Sequence, residues 1–338
     1  MQKKIEENLV FILFSLILII RFTTIYYINK VPCMEFDYLL MGEKALSGIK
    51  FNVDELTPLT YGIIVKIINI FTDNITITSR MIFTISTLLI SFSIYKICEL
   101  FYDRKTALYS LILSISIPSL VVSDSHSIYF GTAFMLLSFY LIELHKLNKK
   151  LIFFILFLIS TVLATAARNE YIFVILGYSL FTYLLDLKKN NYQAIKKILF
   201  ILLSFFLIIF FQKKLINFIS LDKEFAGLFS DVRYSYENWT HNLSFHYLDR
   251  FDPTFSNIRA EEIYGSAKEN NYSIISVIFS NPLFFFEVVL QNIKDFFKTI
   301  TYPSLFPFYN FIFLGFYFLK IKSKNELYPF ITLSFAAF

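Results

Sequence analysis

The chain has 338 residues, of which 56% are hydrophobic, 20% aromatic and 17% charged. Soluble domains carry roughly 25% charged residues, and a globule of this size cannot bury so much apolar surface, while the wealth of Phe and Ile excludes disorder. With 8 Gly, 8 Pro and 2 Cys, collagen-like, coiled-coil and disulfide-scaffold chains are excluded too. A polytopic membrane protein remains, and the net charge of +5 matters less than where Lys and Arg fall.

In chain order, apolar runs near the length of a membrane span (about 20 residues) occur at 9–28, 81–100, 106–122, 128–145, 151–166, 171–187, 197–212, 304–320 and 326–338. The first follows Lys3 and Lys4 as a signal sequence would. Its apolar run is long and lacks a small-x-small cleavage site, so it reads as an uncleaved anchor. Runs such as LIFFILFLIS (151–160) lack the alternation of β-barrel strands. The predicted fold is therefore an all-α bundle of about nine spans.

Basic residues set the orientation. Arg104 and Lys105, then Lys146, Lys149 and Lys150, then Lys188, Lys189, Lys196 and Lys197, then Lys320, Lys322 and Lys324 occupy alternate short loops. The loops between them, SDSHS (123–127) and ARNE (167–170), hold only Arg168. The positive-inside rule puts the basic loops and the N-terminus in the cytoplasm. The run 59–71 then cannot cross. It is short, carries Lys66 and follows Pro58, and reads as a helix dipping into the outer leaflet.

Two external segments result, 29–80 and 213–303, on a single transmembrane domain covering 1–338, since no internal repeat is visible. In the first, Asp37 opens a short helix closed by Gly48 in the left-handed cap position. The second ends in an amphipathic helix with Asn281 as N-cap and Pro282 at the first helical position. There Glu287, Gln291, Lys294, Asp295 and Lys298 form one stripe and Phe285, Val289, Ile293 and Phe296 the opposite one, as suits a helix in the membrane interface. Cys33 and Cys98 fall at opposite membrane faces, so no disulfide joins them.

Asp37 shares a helix face with Met41 and Lys44. A carboxylate just above the outer leaflet can take a proton from an incoming hydroxyl; the plainer alternative is a first-turn acid favoured by the helix dipole. Asp124 and His126 sit in a tight external loop, with His241 and His246 as loose partners, which is not the spacing of a metal site. Tyr234, Tyr236, Trp239 and Tyr247 are stacking candidates for a sugar or ordinary interfacial aromatics. Arg21 snorkels from the first span, and sequons begin at Asn74, Asn238, Asn242 and Asn271.

Four stretches occur in a fixed order. The first is D-Y-x6-A-x2-G, from Asp37 and Tyr38 through Ala45 to Gly48, with Pro58 opening an apolar helix. Residues 79–120 are an Arg-led helix, a short basic turn and a Pro-bearing helix. ATAARNEYIFV (164–174) is a small-residue helix end followed by Arg-x-Glu, and NPLFFFEVVLQNIKDFF (281–297) is an amphipathic helix. In this order they resemble the membrane glycosyltransferases of the GT-C fold, the glycosyltransferase family 39-like superfamily of protein O-mannosyltransferases and lipid A aminoarabinose transferases. The chain departs from that pattern where Tyr38 replaces a frequent second acid and Thr57 replaces the first of a proline pair. It also ends within an apolar run at Phe338, as a shortened member would.

The resemblance implies transfer of a sugar, with inversion, from a polyprenyl-phosphate donor to a lipid, glycan or protein acceptor outside a bacterial inner membrane. It makes Asp37 the base and Arg168, Arg80, Lys44, Lys213 and Lys214 the cations for the donor phosphate. Tyr38, Asp124, His126 and Glu170 would line the site. Membrane lipid is an expected partner and nucleic acid is not. No cofactor is implied, with a divalent metal the one alternative. Two rival functions are a flippase or exporter of lipid-linked saccharide, which would carry inverted repeats and mid-membrane charges, and a polysaccharide polymerase or ligase relying on external Arg pairs.

Overall fold

A computed structural model describes residues 9–16, 18–19, 33–48, 59–116, 127–168, 171–184 and 191–219, and within the later chain 258, 261–266, 269–270, 274–283, 285–287, 289–291 and 294. The regular elements among them are helices: α1 Cys33–Leu46, α2 Leu59–Thr72, α3 Ile75–Phe101, α4 Arg104–Ser116, α5 Ser127–Asn148, α6 Leu151–Ala167, α7 Tyr171–Leu184, α8 Asn191–Ile219 and α9 Ile274–Ser280. No strand occurs among the described residues, so the fold is all-α, as composition and periodicity predict. Among the described residues three stretches are long and apolar enough to cross a membrane: Ile75–Phe101, Ser127–Asn148 and Ile195–Gln212 within α8. Thr60–Thr72, Leu151–Ala167 and Tyr171–Leu184 are shorter apolar helices. The predicted spans at 304–320 and 326–338 lie outside the described residues, as do Arg21 and the aromatic segment 234–247.

The chain divides into two compact units, the first comprising Met1–Ser47, Pro58–Ile208 and Ile321–Phe338 and the second Gly48–Thr57 and Ile209–Lys320. In the first, local chemistry sets the helix ends. Asn74 caps α3 by accepting the Thr76 and Ile77 N–H groups on its side-chain oxygen at 2.9 and 3.2 Å. The asparagine of that sequon is thus a helix cap, and α3 starts six residues before the predicted span at 81. Asp103 starts α4 in the same way, accepting the Thr106 N–H at 2.7 Å.

Packing then fixes direction. α4 returns along α3, with Ser114 Oγ donating to Ser91 Oγ at 3.2 Å and Tyr95, Ala107 and Leu111 buried together nearer the turn. Val10, Leu13 and Phe14 of the N-terminal helical segment pack on that cluster. α5 runs parallel to α3, because Tyr129 meets Phe83 at 5.1 Å and Tyr140 meets Phe92 at 6.1 Å. α6 runs back, its end at Ala164 beside Gly131 and its start at Phe154 beside His145. α7 follows α5, with Tyr171 at Thr132 and Tyr178 at Phe139, and α8 follows α6, with Phe200 at Phe154 and Phe205 at Phe157. The helices α3 to α8 alternate in direction. Consequently Arg104 and Lys105, Lys146 to Lys150, and Lys196 and Lys197 share one end of this unit.

The core between these helices is rich in hydroxyls. Thr87, Ser138, Thr161, Thr165 and Ser179 each donate to the carbonyl four residues back. Such side chains satisfy themselves within their own helix while letting neighbouring helices approach closely.

Candidate functional site

The site region is the end of the first unit opposite the basic turns. α1 begins at Cys33, one turn before Asp37, so the predicted start at Asp37 is early in the helix rather than at its edge. Its other end matches expectation: Gly48 has φ +72, and the Ser47 hydroxyl donates to the Glu43 carbonyl at 2.9 Å.

α1 lies on α2 with both helices running in the same sense. Tyr38 meets Tyr61 edge-on at 4.9 Å, Gly42 meets Gly62, and Glu43 pairs with Lys66 at 3.3 Å. The glycines set the spacing. A Cβ on Gly42 would overlap the Gly62 carbonyl oxygen, and one on Gly62 would stand 2.8 Å from the Tyr38 carbonyl oxygen. Only hydrogen fits at that crossing.

Asp37 and Tyr38 point to different surroundings, as successive helical residues about 100° apart must. Asp37 is exposed, whereas Tyr38 is 2% exposed and shares a 3.3 Å hydrogen bond with Ser127 Oγ at the start of α5. Tyr61 packs on Phe130 of the same helix at 5.3 Å. Tyr38 is therefore an anchor between α1 and α5. Met41, on the face predicted for Asp37 and Lys44, is buried against α2, while Lys44 is half-buried.

Arg168 follows α6 directly, in extended backbone at φ −150, with its N–H donating to the Ala164 carbonyl at 3.0 Å. Its own carbonyl accepts from the Tyr171 N–H at 3.2 Å, and its Nε is buried. Tyr171 then reaches α5, its hydroxyl 2.9 Å from Thr132 Oγ. Arg80 is half-buried on α3, one turn before the Phe83 ring that packs on Tyr129. The starts of α1, α2, α5 and α7, the end of α6 and the early turns of α3 thus gather at one end, and with them Asp37, Arg80 and Arg168.

Other predicted site residues fall elsewhere. Asp124, His126 and Glu170 lie outside the described residues. Lys213 and Lys214 belong to the second unit, where Lys214 is exposed with Nζ 5.6 Å from the Phe210 ring centroid. Among the described residues no group of three or more His, Cys, Asp or Glu could hold a metal. Sequence reasoning did not single out Tyr61, Ser127, Tyr171 or the Gly42–Gly62 pair. Two glycines in the small set the chain possesses are the one signal that could have marked the crossing.

In the second unit, Asn270 is buried and donates to the Tyr264 carbonyl at 2.7 Å. The Phe285 N–H donates to the Asn281 carbonyl at 3.2 Å, as an N-cap at Asn281 predicts. Phe285, Val289 and Gln291 are half-buried while Glu287 and Lys294 are exposed, so the described residues do not separate into the two predicted stripes, and Ile293, Asp295, Phe296 and Lys298 lie outside the residues whose side chains are described. Leu283, Phe286 and Leu290 add an exposed apolar face that the stripe reading did not include.

Fold and composition define a chain that is helical among the described residues, with three helices long and apolar enough to cross a membrane. No family model, curated protein or solved structure matches it.

Proposed function

We propose that the chain is an integral membrane glycosyltransferase of the GT-C kind, using a polyprenyl-phosphate sugar, with nine spans and the N-terminus in the cytoplasm. The Asp37 carboxylate takes the acceptor hydroxyl proton as that oxygen attacks the anomeric carbon from the face opposite the phosphate. The bond between the anomeric carbon and the phosphate oxygen breaks, the anomer inverts, and the lipid phosphate leaves with its electron pair. Arg168 and Arg80 offset its charge, a role that suits the planar guanidinium. Asp124, His126 and Glu170 line the site. The active end faces the exterior of a bacterial inner membrane, and the acceptor is a lipid, glycan or protein.

One observation carries this reading. An exposed carboxylate, fixed by its buried neighbour Tyr38, stands at the same end of the unit as two arginines, away from the basic turns. The test is transfer by membranes carrying Asp37→Asn. Loss of transfer with normal insertion is expected, and near-wild-type activity would move the base to Asp124 or Glu170.

A further inference from the structure

At the other end of the first unit, two cations from different helices converge on one ring. Lys146, in the last turn of α5, places Nζ 5.8 Å from the centroid of Tyr183, and Lys197, early in α8, places Nζ 5.5 Å from it. Tyr183 is 1% exposed, so the ring is a fixed floor. Lys146 is held as well as positioned: Nζ donates to the Thr182 carbonyl at 3.2 Å and lies 3.6 Å from Glu143. Glu143 is the one acid drawn into this group among the described residues. It is 7% exposed and also accepts the Tyr178 hydroxyl at 3.1 Å, so its charge is shared and turned inward. Lys197 is exposed, as are Lys149, Lys150 and Lys196.

Two ammonium groups at 5.8 and 5.5 Å from one ring centroid, against the single Glu143 carboxylate, leave net positive charge among the described residues, which attracts an anion. The level of these charges identifies the anion. Lys197 stands in the opening turn of the crossing stretch Ile195–Gln212, and Lys146 at the end of the crossing stretch Ser127–Asn148. Both ammonium groups therefore lie where hydrocarbon gives way to headgroups, the depth of lipid phosphates. We propose that an anionic phospholipid headgroup seats between Lys146 and Lys197 over Tyr183, its phosphate accepting from both ammonium groups while its acyl chains lie along the apolar flank of α8. That flank is ready-made: Leu199, Leu202, Leu203 and Phe206 are exposed on it. The site is independent of the transfer reaction and of the Asp37 end.

The test uses the full chain in nanodiscs of phosphatidylcholine with phosphatidylglycerol added, reading retained lipid by native mass spectrometry. The wild type should retain phosphatidylglycerol selectively, and Lys197→Gln and Lys146→Gln should each lower retention about fivefold, the worth of one cation at an anionic surface. Lys105→Gln, at another basic turn, should retain lipid as the wild type does. Lys197→Gln should keep the wild-type unfolding midpoint in pure phosphatidylcholine, which separates lost binding from lost folding. Undiminished retention in Lys197→Gln, or an equal loss in Lys105→Gln, would overturn the site. So would displacement of the lipid by inorganic phosphate, which would assign the lysines to a free anion.

Discussion

Asp37 and Tyr38 are neighbours in sequence and opposites in environment, one in solvent and one in the core. The proposed chemistry asks most of the first. An acceptor hydroxyl is a weak nucleophile, and a positioned carboxylate contributes roughly 10²–10⁴-fold to rate. Asp37→Asn is thus expected to lose transfer by that order, while Asp54→Asn and Glu55→Gln keep most of it; a transfer assay on membranes with matched protein levels decides. Arg168 invites a subtler test, because its backbone already closes the turn between α6 and α7 through Ala164 and Tyr171. Arg168→Ala should raise KM for the lipid donor, and Arg168→Lys should recover part of it, since a point charge remains without the fork. Identical donor kinetics in the Ala variant would return Arg168 to a purely structural role.

At the scale of elements, the α1–α2 crossing is the least tolerant feature. The atom that a Cβ at Gly42 would strike is a backbone oxygen, which cannot swing aside as a side chain would. Gly42→Ala should therefore push the helices apart and destabilise by about 1–3 kcal/mol, the usual range for overpacking. Gly177→Ala in α7 is the control: a Cβ there meets nothing within 4 Å, and replacing a helical glycine stabilises by roughly 0.5–1 kcal/mol. Thermal unfolding in detergent should move in opposite directions for the two. The α3–α4 turn offers a pH test. Hydrogen bonds from the Thr106 backbone and then its hydroxyl hold the Asp103 carboxyl below its ordinary 3.8. A depressed folded-state value means that the stabilisation is complete above 3.8 and disappears as pH falls through the folded value. Wild type should thus lose stability relative to Asp103→Asn as pH falls through that window, because asparagine caps without titrating; parallel curves of unfolding midpoint against pH would remove Asp103 from the account.

For the whole molecule, the alternation of α3 to α8 and the segregation of Lys and Arg point to the same sidedness. α3 has 27 residues, about 40 Å of helix. That exceeds the roughly 30 Å hydrocarbon core, so its first turns and the α2–α3 turn should stand clear of the bilayer. In a background without Cys33 and Cys98, Asp73→Cys should react with an impermeant thiol reagent on intact cells, and Lys149→Cys only after permeabilisation. The reverse pattern would invert the orientation and put Asp37 on the cytoplasmic side.

Helical class, the apolar stretches of α3, α5 and α8, and the basic turns follow from composition and charge position alone. Those signals are local: a 20-residue apolar run has few ways to satisfy its backbone in lipid except as a helix. The Asn281 cap was legible for the same reason. Which face of each helix meets protein was not legible, because lipid tails and protein cores are both apolar and hydrophobicity does not tell them apart. Of the apolar window in Ser127–Asn148, 61% is buried, against 17% in Ile195–Gln212, a contrast that apolar length does not foretell. Tyr38 reads in sequence as a residue beside an acid and becomes an anchor only because Ser127, 89 positions later, arrives beneath it. The gathering of Asp37, Arg80 and Arg168 at one end is likewise a product of helix direction and of the Gly42–Gly62 contact, which is made between backbones and leaves no trace in side-chain chemistry.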